Sequence, residues 1–232
     1  MTYRELRPTA ALQPWVECYW TRGEDADTRE ANRILPDGCA DLVFDLTREE
    51  AFAVGTMTTA LVLPPSPGQR FFGVRFRPGR AAAFLRIPLA EITDARVPLR
   101  ELWRDVPRPD RINCDDIERE LLRRLDPERD ARVDAAIARI IDSDGAERIE
   151  PLARELGISR QHLARQFLHH VGVSPKTFAR VMRFRRLVSR AHADADWADV
   201  AARHGYYDQS HLIAEFRALA GTTPNAFHFS NP

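Results

Sequence analysis

Two short stretches near the C-terminus set polar side chains at helical spacing. SRQHLARQF covers Ser159–Phe167, and DQSHLIAEF covers Asp208–Phe216. In each, a Leu and a Phe four residues apart (Leu163 and Phe167, Leu212 and Phe216) form an inward stripe, which leaves the residues between them facing outward. On the first stretch the outward positions are Arg160, Gln161, Ala164 and Arg165, with His162 beside them. An arginine can donate to O6 and N7 of guanine together, and a glutamine can pair with N6 and N7 of adenine. Arg165 and Gln161 fit those roles, and Arg160 and His162 sit where phosphates would pass. On the second stretch Gln209, Ser210 and His211 head the helix, within reach of phosphates or base edges. Ala214 takes the place of Arg165 and is followed by Glu215. Alanine offers no charge, only contact with a thymine methyl.

The elements that must position these residues form an internal repeat. LARELGISRQHLARQFLHHVGVSP, from Leu152 to Pro175, is matched by VAARHGYYDQSHLIAEFRALAGTTP, from Val200 to Pro224. Ala153 and Gly157 match Ala201 and Gly205 at an offset of 48, and His162, Leu163, Phe167, Gly172 and Pro175 find their counterparts at an offset of 49. The extra residue falls in the turn, where GIS becomes GYYD. Each copy predicts a short helix with a small residue for close approach, a turn glycine able to take positive φ, and a capped second helix. Ser159 and Asp208 are the caps. One such hairpin is as readily a packing unit. Two copies sharing turn glycine, cap, inward Leu/Phe pair and trailing Gly-x-Ser/Thr-Pro point to paired helix-turn-helix units.

Between the copies, PKTFARVMRFRRLVSRAHA reads as a long amphipathic helix. Phe178, Val181, Met182 and Leu187 form its apolar side, and Arg180, Arg183, Arg185, Arg186 and Arg190 surround the rest. It would hold the two units at a fixed separation, so that their second helices enter successive major grooves about 34 Å apart. Lys176 and Arg180, just past the first unit, are placed to hold phosphates.

The first half reads differently. WVECYWT, ADLVFDL, ALVL and FFGVRF are aromatic and β-branched, separated by the turn formers LPDG, PPSPG and RPG. They predict a small β-barrel or sandwich, with helices at GRAAAFLRI and at DIERELLRRL, where Ile117, Leu121, Leu122 and Leu125 recur at helical spacing. LDPERD then gathers proline and charge between two helical patterns. The expected organisation is α+β with two domains: residues 1–126, β-rich, for sensing or dimerisation, and residues 127–232, all-α, with two helix-turn-helix units joined by a linker helix.

Inside the first domain Trp20, Phe44, Phe72 and Phe76 are candidates to line an apolar ligand pocket, and Arg75 to bind an acidic group. Plain core packing is the competing reading for each aromatic, and solvation for the arginine. Asp37 belongs to a turn, and Asp41 and Asp45 flank a strand. All 7 histidines lie at or after His162, so the first domain lacks the commonest general base and metal ligand. No catalytic constellation, metal site or cofactor is expected. Cys18, Cys39 and Cys114 are too widely spaced for zinc or a disulfide framework and read as buried thiols.

The chain of 232 residues has a net charge of zero, which argues against a uniformly basic surface. The average conceals an asymmetry: from Ala146 onward there are 12 basic and 8 acidic residues, a net of +4 against −4 for the remainder. No apolar run is long enough for a membrane span, and the N-terminus has no signal pattern, so a cytoplasmic protein is expected.

From about Arg129 to Pro232 the chain resembles the DNA-binding domain of the AraC/XylS family of bacterial transcription regulators, through the paired units, the linker VMRFRRL and the signature GYYDQSHLIAEFRALAGTTP. The first domain is similar to a sensor-like domain found ahead of it in some members, through RILPDGCADLVF and FFGVRFRPGRAAAFLRIPLAEITD. The resemblance implies a regulator whose partners are double-stranded promoter DNA, a small-molecule effector, RNA polymerase in the case of an activator, and a second copy in a homodimer. It further implies that Arg165 occupies a base-reading position, whereas Ala214 stands where family members often carry a basic residue. Two other readings stay open: a constitutive DNA- or partner-binding protein whose first domain only dimerises, and an enzyme fused to a DNA-binding domain.

Overall fold

The computed structural model describes residues 3–23, 32–64, 68–128, 130–191 and 195–227. Among these residues eight strands lie in the first half: β1 (Tyr3–Leu6), β2 (Val16–Arg22), β3 (Asn32–Ile34), β4 (Asp41–Asp45), β5 (Glu50–Val54), β6 (Leu61–Leu63), β7 (Phe71–Phe76) and β8 (Arg96–Pro98). Six of them pair antiparallel in the order β1-β2-β7-β4-β5-β8, and β3 and β6 form a separate ribbon. Among the described residues the β-rich unit is thus a six-stranded antiparallel sheet with a separate two-stranded ribbon. Its β8 edge ends at Pro98, which has no N–H to extend a ladder.

Alternation along β7 explains which face is covered. Phe72, Val74 and Phe76 are buried on the same side as Leu42 and Phe44 of β4. Helices α1 (Ala82–Leu85), α2 (Leu99–Leu102) and α3 (Cys114–Arg124) accompany this core, contributing Phe84, Leu85, Leu99, Ile117 and Leu121. Leu122 remains exposed, because one residue past Leu121 turns its side chain about a quarter circle away. Cys18 and Cys39 are buried thiols, whereas Cys114 is only half-buried.

The second half is helical: α4 (Ala131–Asp142), α5 (Ile149–Glu155), α6 (Arg160–His170), α7 (Pro175–Arg190), α8 (Trp197–Arg203) and α9 (Gln209–Ala220). A second core joins Leu163, Phe167, Phe178, Val181, Phe184, Leu187, Leu212 and Phe216, each essentially inaccessible. Each of these large side chains contributes about 1.5–3 kcal/mol by leaving water. The linker helix α7 is the spine of this core, with the inward residues of both hairpins on it.

The β-rich domain touches both hairpins. Thr56 Oγ1 donates to the Val171 carbonyl at 2.5 Å and Thr93 Oγ1 to the Gly172 carbonyl at 2.7 Å, both at the C-terminal end of α6. Ala60 N–H donates to the Leu219 carbonyl at 2.7 Å and Arg33 Nη1 to the Ala220 carbonyl at 2.5 Å, at the end of α9. Carbonyls that a helix leaves free at its C-terminus are thus satisfied from the other domain. An ion pair of 2.7 Å from Arg80 to Asp134 of α4 lies beside them.

Candidate nucleic-acid interface

Each hairpin is built as its local sequence demands. Leu152 and Ala153 of α5, and Trp197 and Ala201 of α8, are buried against their partner helices. Gly157 and Gly205 then take φ of +67° and +72°, with open space where a Cβ would stand. The backbone conformation alone favours glycine there, since a side chain in this region costs about 1–2 kcal/mol. Ser159 Oγ accepts from His162 N–H at 3.1 Å and Asp208 Oδ1 from His211 N–H at 2.7 Å, which caps α6 and α9.

These caps turn the first turns of both helices outward. Arg160, Gln161 and Arg165 are exposed on α6, and Gln209, Ser210, His211 and Ala214 on α9; Lys176 is exposed in the first turn of α7. The first turns of α6, α7 and α9 carry no acidic side chain, while those of α3, α4, α5 and α8 do. Free N–H groups and the helix dipole at an uncompensated N-terminus favour an anion. Asp208, itself the cap of α9, partly offsets this at the second helix.

Two residues are placed otherwise than the spacing predicts. Arg180 does not point toward a phosphate: its Nε and Nη2 donate to Glu215 Oε2 and Oε1 at 2.7 and 2.9 Å. His162 is turned inward. Its Nδ1 accepts from Arg165 Nη2 at 3.1 Å, and its Nε2 lies 3.5 Å from Asp130 Oδ2. Because a guanidinium only donates, Nδ1 is the acceptor and Nε2 carries the proton that faces the carboxylate. Hydrogen bonds from the Arg132 side chain hold the Asp130 carboxyl well below the usual carboxylate range. Neither Asp130 nor Glu215 stands out in the sequence as part of this face, since both pair across the fold.

Three other linker arginines also act inside the protein. Arg183 donates to the Gly145 carbonyl at 3.0 Å, Arg186 pairs with Asp144 at 2.6 Å, and Arg185 reaches Glu17 of the β-rich domain at 3.7 Å. His211 differs from His162. The Tyr207 N–H donates to its Nδ1 at 3.2 Å, which leaves Nε2–H as an outward donor. Tyr207, 92% exposed in the turn before α9, stands beside it.

The five expected ligand residues divide between two faces of the sheet. Phe44, Phe72 and Phe76 are packed in the core, with Phe44 against Phe72 and Phe76 stacked on Phe84 at 5.0 Å. Trp20 and Arg75 lie on the other face. Trp20 Nε1 donates to Asp41 Oδ1 at 2.9 Å, and Arg75 sits 3.6 Å from Asp37 and 3.5 Å from Asp41. Phe44 and Phe76 are core, Phe72 is buried with them but also lines a cleft at the end of the sheet, and Arg75 serves two carboxylates of its own chain. Among the described residues no group of three or more His, Cys, Asp and Glu could hold a metal ion, and no helix is long and apolar enough to cross a membrane.

A family model described as a helix-turn-helix domain matches residues 152–228, which is both hairpins and the linker between them. Over these residues the C-terminal domain is similar to a helix-turn-helix domain. Its two units are α5–α6 and α8–α9. A second model, described as a domain of unknown function, matches residues 4–98 of the β-rich domain. Among solved structures the chain is similar to ToxT from Vibrio cholerae O395, at 11% identity over 89% of this chain and 94% of that one, with a TM-score of 0.41. A second ToxT structure from Vibrio cholerae, in a P21 crystal form, aligns at 9% identity over 97% of each chain with a TM-score of 0.41. No curated protein matches the chain.

Proposed function

We propose that this chain is a transcription regulator that binds promoter DNA through both helix-turn-helix units. The observation that carries this reading is the duplicated hairpin, in which each capped second helix buries its Leu/Phe pair and leaves its other face exposed. Arg165 reads guanine from the middle of α6 and Gln161 reads adenine near its start. Arg160 and Lys176 hold phosphates. On α9, Gln209, Ser210 and the Nε2–H of His211 meet the backbone, and Ala214 lets that helix approach closely or touch a thymine methyl. His162 acts behind Arg165 and not on the DNA.

The β-rich domain senses a small molecule. Support comes from its hydrogen bonds to the ends of α6 and α9 together, so a change in it bears on both reading helices at once. Such a regulator would act as a homodimer, and as an activator it would contact RNA polymerase. Genome-wide mapping of its binding sites tests the reading. A recurrent motif with two half-sites about one helical turn apart is expected; binding without sequence preference would overturn it.

A further inference from the structure

The sheet is left open at one end, where residues of both its faces come together. Where β1, β2 and β7 run out beyond the start of α3, a cleft of about 450 Å³ opens. Its volume lies within the range of small-molecule sites, about 300–1,000 Å³. Leu6, Leu46, Phe71, Phe72 and Ile112 provide an apolar floor and walls. Leu6 is 44% exposed, on the edge strand β1.

Around this floor stand Arg4, Arg22 and Arg70. Arg4 and Arg22 have no carboxylate partner among the described residues, in contrast to Arg80 and Arg180, which hold one each, and Arg75, which holds two. Burial pulls the Arg22 pKa down with no acid pulling it back up. A half-buried guanidinium without a counter-ion is costly, and an anion brought into the cleft removes that cost. Glu118 of α3 is engaged by the Tyr19 hydroxyl at 3.1 Å and the Thr9 N–H at 2.8 Å.

We infer that this cleft binds an organic anion with an apolar body, its carboxylate or phosphate held by Arg4 and Arg22 and its body lying on Leu6, Leu46, Phe71 and Ile112. The inference deepens the sensor role proposed above and rests on it for its biological use. The strand that floors the cleft, β7, leads at its other end into the loop that carries Arg80, the partner of Asp134 in the helix-turn-helix domain. Binding itself is measured without DNA, so it stands or falls independently of that reading.

Titration calorimetry on the full chain with octanoate, octyl phosphate, octanol and octylammonium tests it. Both anions should bind, octanol and octylammonium should be at least tenfold weaker, and acetate and inorganic phosphate should be weaker still for want of a body. The octanoate and octyl phosphate arms show which head group is preferred. Arg4→Gln with Arg22→Gln should weaken the anions at least tenfold, and these exposed or half-exposed positions leave the core untouched. Leu6→Gln should weaken them severalfold while sparing the arginines. Arg165→Ala with Lys176→Ala, on the DNA face, should leave them unchanged. Binding that ignores the first two changes, or that vanishes with the third, overturns the inference, as does equal binding of octanol.

Discussion

Arg180 on the linker helix donates through two nitrogens to both carboxylate oxygens of Glu215 on the second recognition helix, at 2.7 and 2.9 Å. The pair neutralises the acid beside Ala214, and it withdraws a base that the spacing assigns to phosphate. It also ties α9 to the spine on which α6 is mounted. The second helix is therefore held in place by charge as well as by Leu212 and Phe216, and contributes little charge of its own.

Arg180→Ala should cost about 1 kcal/mol of stability, as should Glu215→Gln, since a partly exposed bidentate pair lies at the upper end of the surface range. The double variant should cost no more than either alone, which denaturation of all four proteins would measure. Arg180→Ala should also leave the salt dependence of DNA binding unchanged. A slope of log K against log salt shallower by about 0.9 would show that Arg180 holds a phosphate instead.

Arg165→Ala should lose about 1–3 kcal/mol of specific binding if it makes one bidentate base contact. The His162 ring that accepts from it fixes where the guanidinium points. His162→Ala should therefore reduce the ratio of specific to non-specific binding, with His162→Asn keeping more of it because its side-chain oxygen can still accept. Competition assays against scrambled DNA separate these cases. A uniform loss on all sequences would mean that His162 touches the backbone itself.

Thr56→Val keeps shape and removes the buried hydroxyl that donates to the Val171 carbonyl. The loss should be about 1–3 kcal/mol, the cost of a buried acceptor left unpaired. Thermal unfolding should show it as a lower midpoint. If the variant matches the parent, the contact between the domains adds nothing to stability.

Asp41 sets a pH dependence. Burial pushes its carboxyl up to about 6, although Arg75 pulls the other way. With a folded pKa above the unfolded value of about 3.9, the folded state holds the proton more tightly. The stability this gives is full below about pH 4 and is lost as pH rises through about 6. The parent should thus weaken against Asp41→Asn by on the order of 2 kcal/mol between about pH 4 and pH 7. Urea titrations at stepped pH measure the difference, and parallel curves would refute it.

Much of this molecule is legible in the chain because its signals are local. FFGVRF is β7 to the residue, and Asp41 and Asp45 are the first and last residues of β4. Ser159 and Asp208 cap as their types demand. The repeat makes the helix-turn-helix pair readable twice over. Short strands such as β1, β3, β5 and β8 lack a pattern of their own and exist by pairing with neighbours. The roles of Arg180, His162 and Arg75 depend on Glu215, Asp130 and Asp37, which meet them across the fold. The cleft draws on separate segments from Arg4 to Cys114, and no window of sequence contains it.

Ala214 stands on α9 where α6 carries Arg165, and in the proposed reading it sets how the two helices divide the work. It is exposed, and the acid after it is turned back toward Arg180. An arginine at 214 would thus meet DNA without a neighbouring carboxylate to cancel it. Ala214→Arg should bind the native site as well or more tightly, with a salt slope steeper by about 0.9 for the added phosphate contact. Titrations of the native site at several salt concentrations measure both. A large loss on that site, with non-specific binding retained, would show that the small face of α9 is itself read, through a thymine methyl or a groove too narrow for a longer side chain.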